Sequence, residues 1–213
     1  MTNYRGLVRS VARRISAAAD SAVEDLNEGV VEQEPHLTDR LLGRIAQSIE
    51  GYRSKGVTWK AKTLTDHGPG AQERQYGADF AGVLDIDLPE YKVKKGFLAQ
   101  AKLLRTNRME MQEFRRLLSQ CEQMLTLSPD SFVFLYSRDG IRVVPAIAVV
   151  GASHPDMVLN PEALYSRKIS TFYEVHFECF IGDRNINEAT DDMLGRLQAR
   201  SLLHLAARRS DER

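Results

Sequence analysis

The sequence predicts an α/β fold, a mixed sheet flanked by helices, with helical additions at the N- and C-termini. Three observations carry that expectation. Apolar residues recur at helical spacing in the first fifty residues and again between Glu110 and Leu127. Short runs of β-branched and aromatic residues lie between and after them, as in Phe132-Val133-Phe134-Leu135-Tyr136. The resulting order (helix, strand, strand, strand, helix, strand, strand) suits a mixed sheet with helices on its faces. A length of 213 residues fits one domain with additions. Residues 1–30 read as an N-terminal helix, 31–150 as the core and 151–213 as a C-terminal helical elaboration of the same domain.

Leu7, Val11, Ile15, Ala19 and Val23 recur every four residues, which predicts a helix from Leu7 to Asn27, stopped by Gly29. Arg5, Arg9 and Arg13 form a second stripe on it, either a solvated face or a phosphate-contacting one. A second helix runs from about Glu34 to Glu50, with Leu37, Leu41, Leu42, Ile45 and Ile49 on its apolar face and Pro35 in its first turn. Strands are predicted over Val57–Leu64, Gln75–Leu84 and Phe97–Leu103. The first two read as a hairpin around His67-Gly68-Pro69-Gly70, and polar Asp85–Gly96, which contains Pro89, reads as a loop. A helix over Glu110–Leu127 presents Phe114, Leu117, Leu118, Cys121 and Leu125 on one face. Strands Ser131–Ser137 and Ile141–Ala146 follow, joined by a tight turn at Arg138-Asp139-Gly140. Ile169–Ile181 and Ile186–Arg208 read as two further helices.

Lysine plus arginine and aspartate plus glutamate both total 29, so the formal net charge is zero. Global charge therefore gives no reason to expect a polyanion partner, though a local basic patch is still compatible with one. Cys121 and Cys179 fall in apolar helical patterns without disulfide or zinc spacing, and reduced thiols are expected. No apolar run approaches the length of a membrane span. The early arginines followed by Ile15-Ser16-Ala17-Ala18-Ala19 make too short and polar a stretch for a signal peptide, so a cytoplasmic protein is expected. Phosphate-binding G-x-x-x-x-G-K-[ST] loops, G-x-S-x-G elbows, H-E-x-x-H and paired C-x-x-C motifs are all missing. The five histidines show no ligand spacing, and Trp59 reads as core.

Chemistry concentrates on two adjacent predicted strands. Gln100 and Lys102 share one face of the third strand, while Phe97, Ala99, Ala101 and Leu103 occupy the other. A lysine in the middle of an apolar strand needs a partner. Asp79 is likewise a charge inside an apolar strand. The two can be a structural ion pair, or they can form a site. As a site they suit phosphodiester hydrolysis. Mg²⁺, or Mn²⁺ in its place, takes oxygen ligands from Asp79, the Gln100 amide and the Ala101 carbonyl. Lys102 then orients the attacking water and offsets developing charge. Glu34, at its helix start, serves either as a dipole-favoured capping charge or as a second carboxylate at the same sheet edge.

The pattern Asp79 followed by Gln100-Ala101-Lys102 resembles the PD-(D/E)xK, or restriction endonuclease-like, nuclease superfamily. Its Gln-x-Lys form looks most like the Mrr-type branch. The resemblance spans roughly Glu34 to Ala146. It implies that Asp79 is a metal ligand, that Gln100 stands at the usual acidic position, that Lys102 is the catalytic lysine and that Glu34 is the acidic residue many members carry on the first core helix. The chain departs from the commoner pattern in its glutamine, and in having Ala78 where a proline often precedes the aspartate.

These readings give an expected function: a metal-dependent endonuclease acting on DNA, in restriction or defence against foreign DNA. The alternatives are a non-cleaving nucleic-acid-binding or regulatory module, suggested by Gln100, and one subunit of a larger defence system. A homodimer and a partner supplying specificity or activation are compatible expectations. Arg105, Arg108, Arg115 and Arg116 follow Lys102 closely and read as either a DNA-holding basic rim or a solvated patch. Glu73 reads as a hairpin-surface charge or a supporting carboxylate, Gln120 as a surface or supporting polar residue, and Tyr136 as core.

Overall fold

The computed structural model describes residues 4–65, 77–105, 109–152 and 163–210. Its elements, in chain order, are α1 (Tyr4–Asn27), α2 (Glu34–Ile49), β1 (Arg53–Ser54), β2 (Val57–Thr65), β3 (Ala78–Leu88), β4 (Tyr91–Leu103), α3 (Met111–Leu127), β5 (Ser131–Ser137), β6 (Gly140–Pro145), α4 (Ala146–Gly151), β7 (Arg167–Lys168), α5 (Ile169–Phe177), α6 (Asp191–Leu197) and β8 (Ala199–Arg209). The eight strands form one mixed sheet in the order β1-β2-β8-β3-β4-β5-β6-β7. Among the described residues, only β3 with β8 and β4 with β5 pair in parallel.

Helices cover both faces. α1, α2 and α5 bury Leu7, Val11, Ile15, Leu37, Leu41, Ile45, Phe172 and Phe177 with the Phe80, Phe97 and Phe134 side of the sheet. α3, α4 and α6 bury Leu117, Cys121, Val149, Met193 and Leu194 against the Val83, Leu98 and Val133 side. The helical periodicities of α1, α2 and α3 thus predicted their buried faces. Arg5, Arg9 and Arg13 are exposed on the solvent side of α1. Arg40 and Arg44 of α2 reach Asp25 of α1 at 3.0 and 2.5 Å, fixing the two helices together.

Sequence reasoning failed in three places. The stretch Asp85–Gly96 is not a loop: β3 runs to Leu88 and β4 starts at Tyr91, leaving Pro89 and Glu90 as a two-residue turn. Asp85 faces Lys94 and Asp87 faces Lys92 across the ladder, so the charges that looked loop-like are cross-strand pairs. The Lys92 to Asp87 contact is 2.9 Å.

The second failure is Ile186–Arg208, which is not one helix. α6 is short; Thr190 caps it by accepting the Met193 N–H at 3.2 Å, and Gln198 ends it in the left-handed region at φ 50°. β8 follows in the middle of the sheet. A strand buried on both faces is a continuous apolar run, and Leu202-Leu203-His204-Leu205-Ala206-Ala207 has that form together with high helix propensity. The segment Ala199–Arg209 is therefore a central strand of the core and not part of a helical addition.

Third, β2 and β3 do not pair as a hairpin. β8 lies between them, antiparallel to β2 from Val57↔Arg209 to Thr65↔Ser201. Smaller differences follow from local geometry. α5 stops at Phe177, and Cys179 is exposed with φ 65°, outside the helical pattern expected for it. Ala146 opens α4 and does not end a strand. Trp59 and Tyr136 are core residues, as expected. His176 is a neutral core residue, its pKa held down to about 3 by burial and by the neighbouring Lys95 charge. Among the described residues, no helix is long and apolar enough to cross a membrane.

Gly82 on β3 shows how tightly this core constrains sequence. It faces Phe97 on β4, and a Cβ at Gly82 would overlap the Phe97 ring. Phe97 cannot yield, because Phe80, Phe132, Phe134, Phe172 and Tyr173 all contact its ring. Gly82→Ala should therefore destabilise the fold by about 1–3 kcal/mol in urea unfolding, the usual cost of overpacking. An unchanged midpoint would mean that the aromatic cluster can repack.

Candidate active site

β4 ends where β3 and β8 begin, so the register gathers Lys102, Asp79 and Arg200 at one end of the sheet. α2 starts at the same end and brings Glu34. Asp79 lies one step beyond the Phe80↔Ala99 pair and so stands across from Gln100. The backbone before it is anchored where Gly77 N–H donates to the Gln198 carbonyl at 3.0 Å.

Asp79 is half-buried. Its Oδ2 accepts the Ala101 N–H at 2.8 Å and a bond from Gln100 Nε2. The same amide nitrogen lies 3.4 Å from the Ala101 carbonyl. Gln100 is buried, and its Oε1 has no hydrogen-bond partner among the described residues. Burial holds the Asp79 carboxyl above the usual carboxylate range. The Glu34 charge pushes the same way, while the Ala101 N–H and the charges of Lys102 and Arg200 pull against it.

Lys102 is buried, and its Nζ donates to Glu34 Oε1 at 3.2 Å. Glu34 Oε2 accepts the Leu103 N–H at 2.7 Å. The direct ion pair of the lysine is thus with Glu34; Asp79 feels it as a nearby charge. Glu34 sits in the first turn of α2, where the helix dipole favours a carboxylate. Its position is braced from behind: Thr38 Oγ1 donates to the Glu34 carbonyl at 3.0 Å and lies 3.2 Å from the Tyr136 hydroxyl. Behind Lys102, burial pushes the Cys121 thiol up to about 12, which keeps it protonated.

The structure therefore brings Glu34, Asp79, Gln100, Ala101 and Lys102 together. Arg105 is at the same edge, with Nη2 3.3 Å from the Glu32 carbonyl. Arg115 and Arg116 are exposed on α3. Gln120 is half-buried on α3 with an unpartnered Oε1. Arg108 and Glu73 lie outside the described residues. Sequence reasoning missed Arg200, Thr38 and Asp39. Thr38 was recoverable as the residue one helical turn after Glu34. Arg200 was not, because its segment reads as helix.

The donor set can be tested against a hard divalent cation. No group of three His, Cys, Asp or Glu side chains suited to a metal occurs among the described residues. Asp79 and Glu34 supply two carboxylates, and the rest must come from neutral oxygens. Gln100 Oε1 is such an oxygen, buried and lacking a donor. A half-turn of the amide exchanges Nε2 for Oε1 beside Asp79, so the set fits Mg²⁺ or Mn²⁺. No family model, no curated protein and no solved structure matches this chain, so a functional reading rests on this strand-end cluster alone.

Proposed function

We propose that this chain is a metal-dependent phosphodiester hydrolase, an endonuclease acting on DNA, on a variant of the restriction endonuclease-like fold. One observation carries the reading. Two carboxylates, a buried amide oxygen without a donor and a buried lysine converge on the ends of two antiparallel strands. The run α2, β1, β2, β3, β4, α3, β5 supports the fold assignment, and the insertion of β8 between β2 and β3 is its departure.

Asp79, Gln100, Ala101 and Glu34 would hold Mg²⁺ or Mn²⁺. When bound, the ion would supply Lewis-acid polarisation of the phosphate and a more acidic water. The protein supplies the rest. Lys102 Nζ, fixed by Glu34, places a positive charge where the pentacoordinate phosphorus gathers negative charge, and holds the attacking water by a hydrogen bond. The buried setting strengthens that charge relative to water. Arg105 and Arg115 would form part of a rim that holds the DNA backbone, which lets a chain of zero net charge bind a polyanion locally. A cytoplasmic role in restriction or defence, and assembly as a homodimer or with a partner supplying specificity, extend the same proposal.

A second reading has its own observation. Gln100 Nε2 donates to Asp79, which satisfies the carboxylate without a cation. On that reading the chain is a non-cleaving nucleic-acid-binding or regulatory module. Incubating purified protein with supercoiled plasmid and Mg²⁺ or Mn²⁺ separates the two. The hydrolase reading expects nicked and linear products that disappear with chelator. Intact plasmid retarded on a gel would favour the binding module.

A further inference from the structure

Arg200 lies at the start of β8. Ala199 pairs with Ala78 and Ser201 with Phe80, so Arg200 is level with Asp79 on the adjacent parallel strand. Its guanidinium is nonetheless directed toward α2. Nη2 donates to Asp39 Oδ1 at 2.7 Å and to the Pro35 carbonyl at 3.2 Å. Pro35 follows Glu34 directly, and Asp39 is one helical turn further along. The Arg200 side chain is half-buried while Asp39 is exposed, so the clamp's worth lies in where it holds α2 more than in the strength of the ion pair.

The strand β8 and the helix α2 thus meet through one side chain. Glu34 reaches Lys102 Nζ and the Leu103 N–H only if the first turn of α2 keeps its place over the end of β4. Thr38 with Tyr136 braces that turn from the β5 side, and Arg200 braces it from the β8 side. Resting on the metal-site reading above, we infer that Arg200 is a positioning residue that sets the first turn of α2, and with it the Glu34 carboxylate, against the strand ends carrying Asp79 and Lys102. A single nitrogen, Nη2, serves both the Pro35 carbonyl and the Asp39 carboxylate.

The test is a double-mutant cycle on Mn²⁺ affinity, measured by calorimetry on the full chain. Arg200→Ala is expected to weaken Mn²⁺ binding about tenfold, the scale seen when a group that orients a ligand is removed. Asp39→Asn, at an exposed partner, should weaken it less while leaving the fold intact. In a Glu34→Gln background, Arg200→Ala should change affinity less than about twofold, because the group it positions has gone. Wild-type affinity in Arg200→Ala would overturn the inference. So would an equal loss with and without Glu34, which would mean that Arg200 acts on Asp79 by charge alone. If the wild type binds no Mn²⁺, the metal-site reading fails by itself, and the same cycle in urea unfolding still decides on Arg200. Coupling between positions 200 and 34 supports the positioning role, and additivity ends it.

Discussion

Replacing Lys102 with alanine is expected to lower metal-dependent plasmid cleavage by about 10²- to 10⁴-fold while Mn²⁺ binding falls little. The expectation follows from where the lysine sits. It is buried, and its Nζ is fixed 3.2 Å from Glu34 Oε1, so its charge is aimed before substrate arrives. Alanine removes that charge and leaves Asp79, Gln100 and Ala101 in place. Glu34 retains the Leu103 N–H, and its side chain is 25% exposed, so the carboxylate left behind is partly hydrated. The stability cost should therefore be about 1–2 kcal/mol, below that of stranding a fully buried ion. Lys102→Met keeps most of the packing and should show the same loss of cleavage with a smaller change in melting temperature. Single-turnover assays at saturating Mn²⁺ give the measurement. Cleavage at the wild-type rate in both variants would remove Lys102 from the chemistry and leave it as half of a structural ion pair.

Asp79→Asn should have two opposite effects, a loss of metal binding and a gain in stability. Burial and the Glu34 charge raise the Asp79 carboxyl above the usual range, so the ionised form is disfavoured in the folded state. A carboxyl raised in this way stabilises the fold only below the ordinary aspartate pKa of about 3.9, and that contribution is lost as pH rises through the folded value. At neutral pH it is a standing cost. Asparagine removes the cost and keeps the geometry. Its Oδ1 can take the Ala101 N–H, and its amide can donate to Gln100 Oε1, which now has no donor. A gain of about 1 kcal/mol, or roughly 2–4 °C in melting temperature, is expected at pH 7. The gain should vanish near pH 3. Mn²⁺ binding in the same variant should fall below detection, and in the wild type it should weaken on acidification earlier than an ordinary aspartate would allow. A variant that is less stable at pH 7 would show that the Asp79 charge is compensated at rest and is not a strained ligand.

Much of the candidate site was legible because it depends on short-range rules. Alternation along Phe97–Leu103 put Gln100 and Lys102 on one face and the apolar residues on the other, and the two hydrophobic clusters divide β4 in that way. A charge in an apolar strand needs a partner, and the structure supplies Glu34 for Lys102. Helical spacing in α1, α2 and α3 identified the buried faces before any tertiary contact was known. The β3–β4 hairpin was also available, since Asp85 and Asp87 match Lys94 and Lys92 at period two on either side of Pro89-Glu90. The polar residues there suit a loop as well as a strand, and the cross-strand charge pairs of the hairpin settle the choice.

What sequence alone determined, then, is the buried faces of α1, α2 and α3, the apolar strands β4 and β5, and the placing of Asp79, Gln100 and Lys102 on neighbouring strands, because each is set within one element or by adjacent strands. Only the tertiary structure decided the conformation of Ala199–Arg209. Leu202-Leu203-His204-Leu205-Ala206-Ala207 is compatible with a helix or with a strand buried on both faces. The choice falls to the gap between β2 and β3, which β8 fills by hydrogen bonding to both. Long-range pairing of that kind leaves no local signature, and with it came Arg200, a charged residue beside the site that no pattern in the sequence placed there.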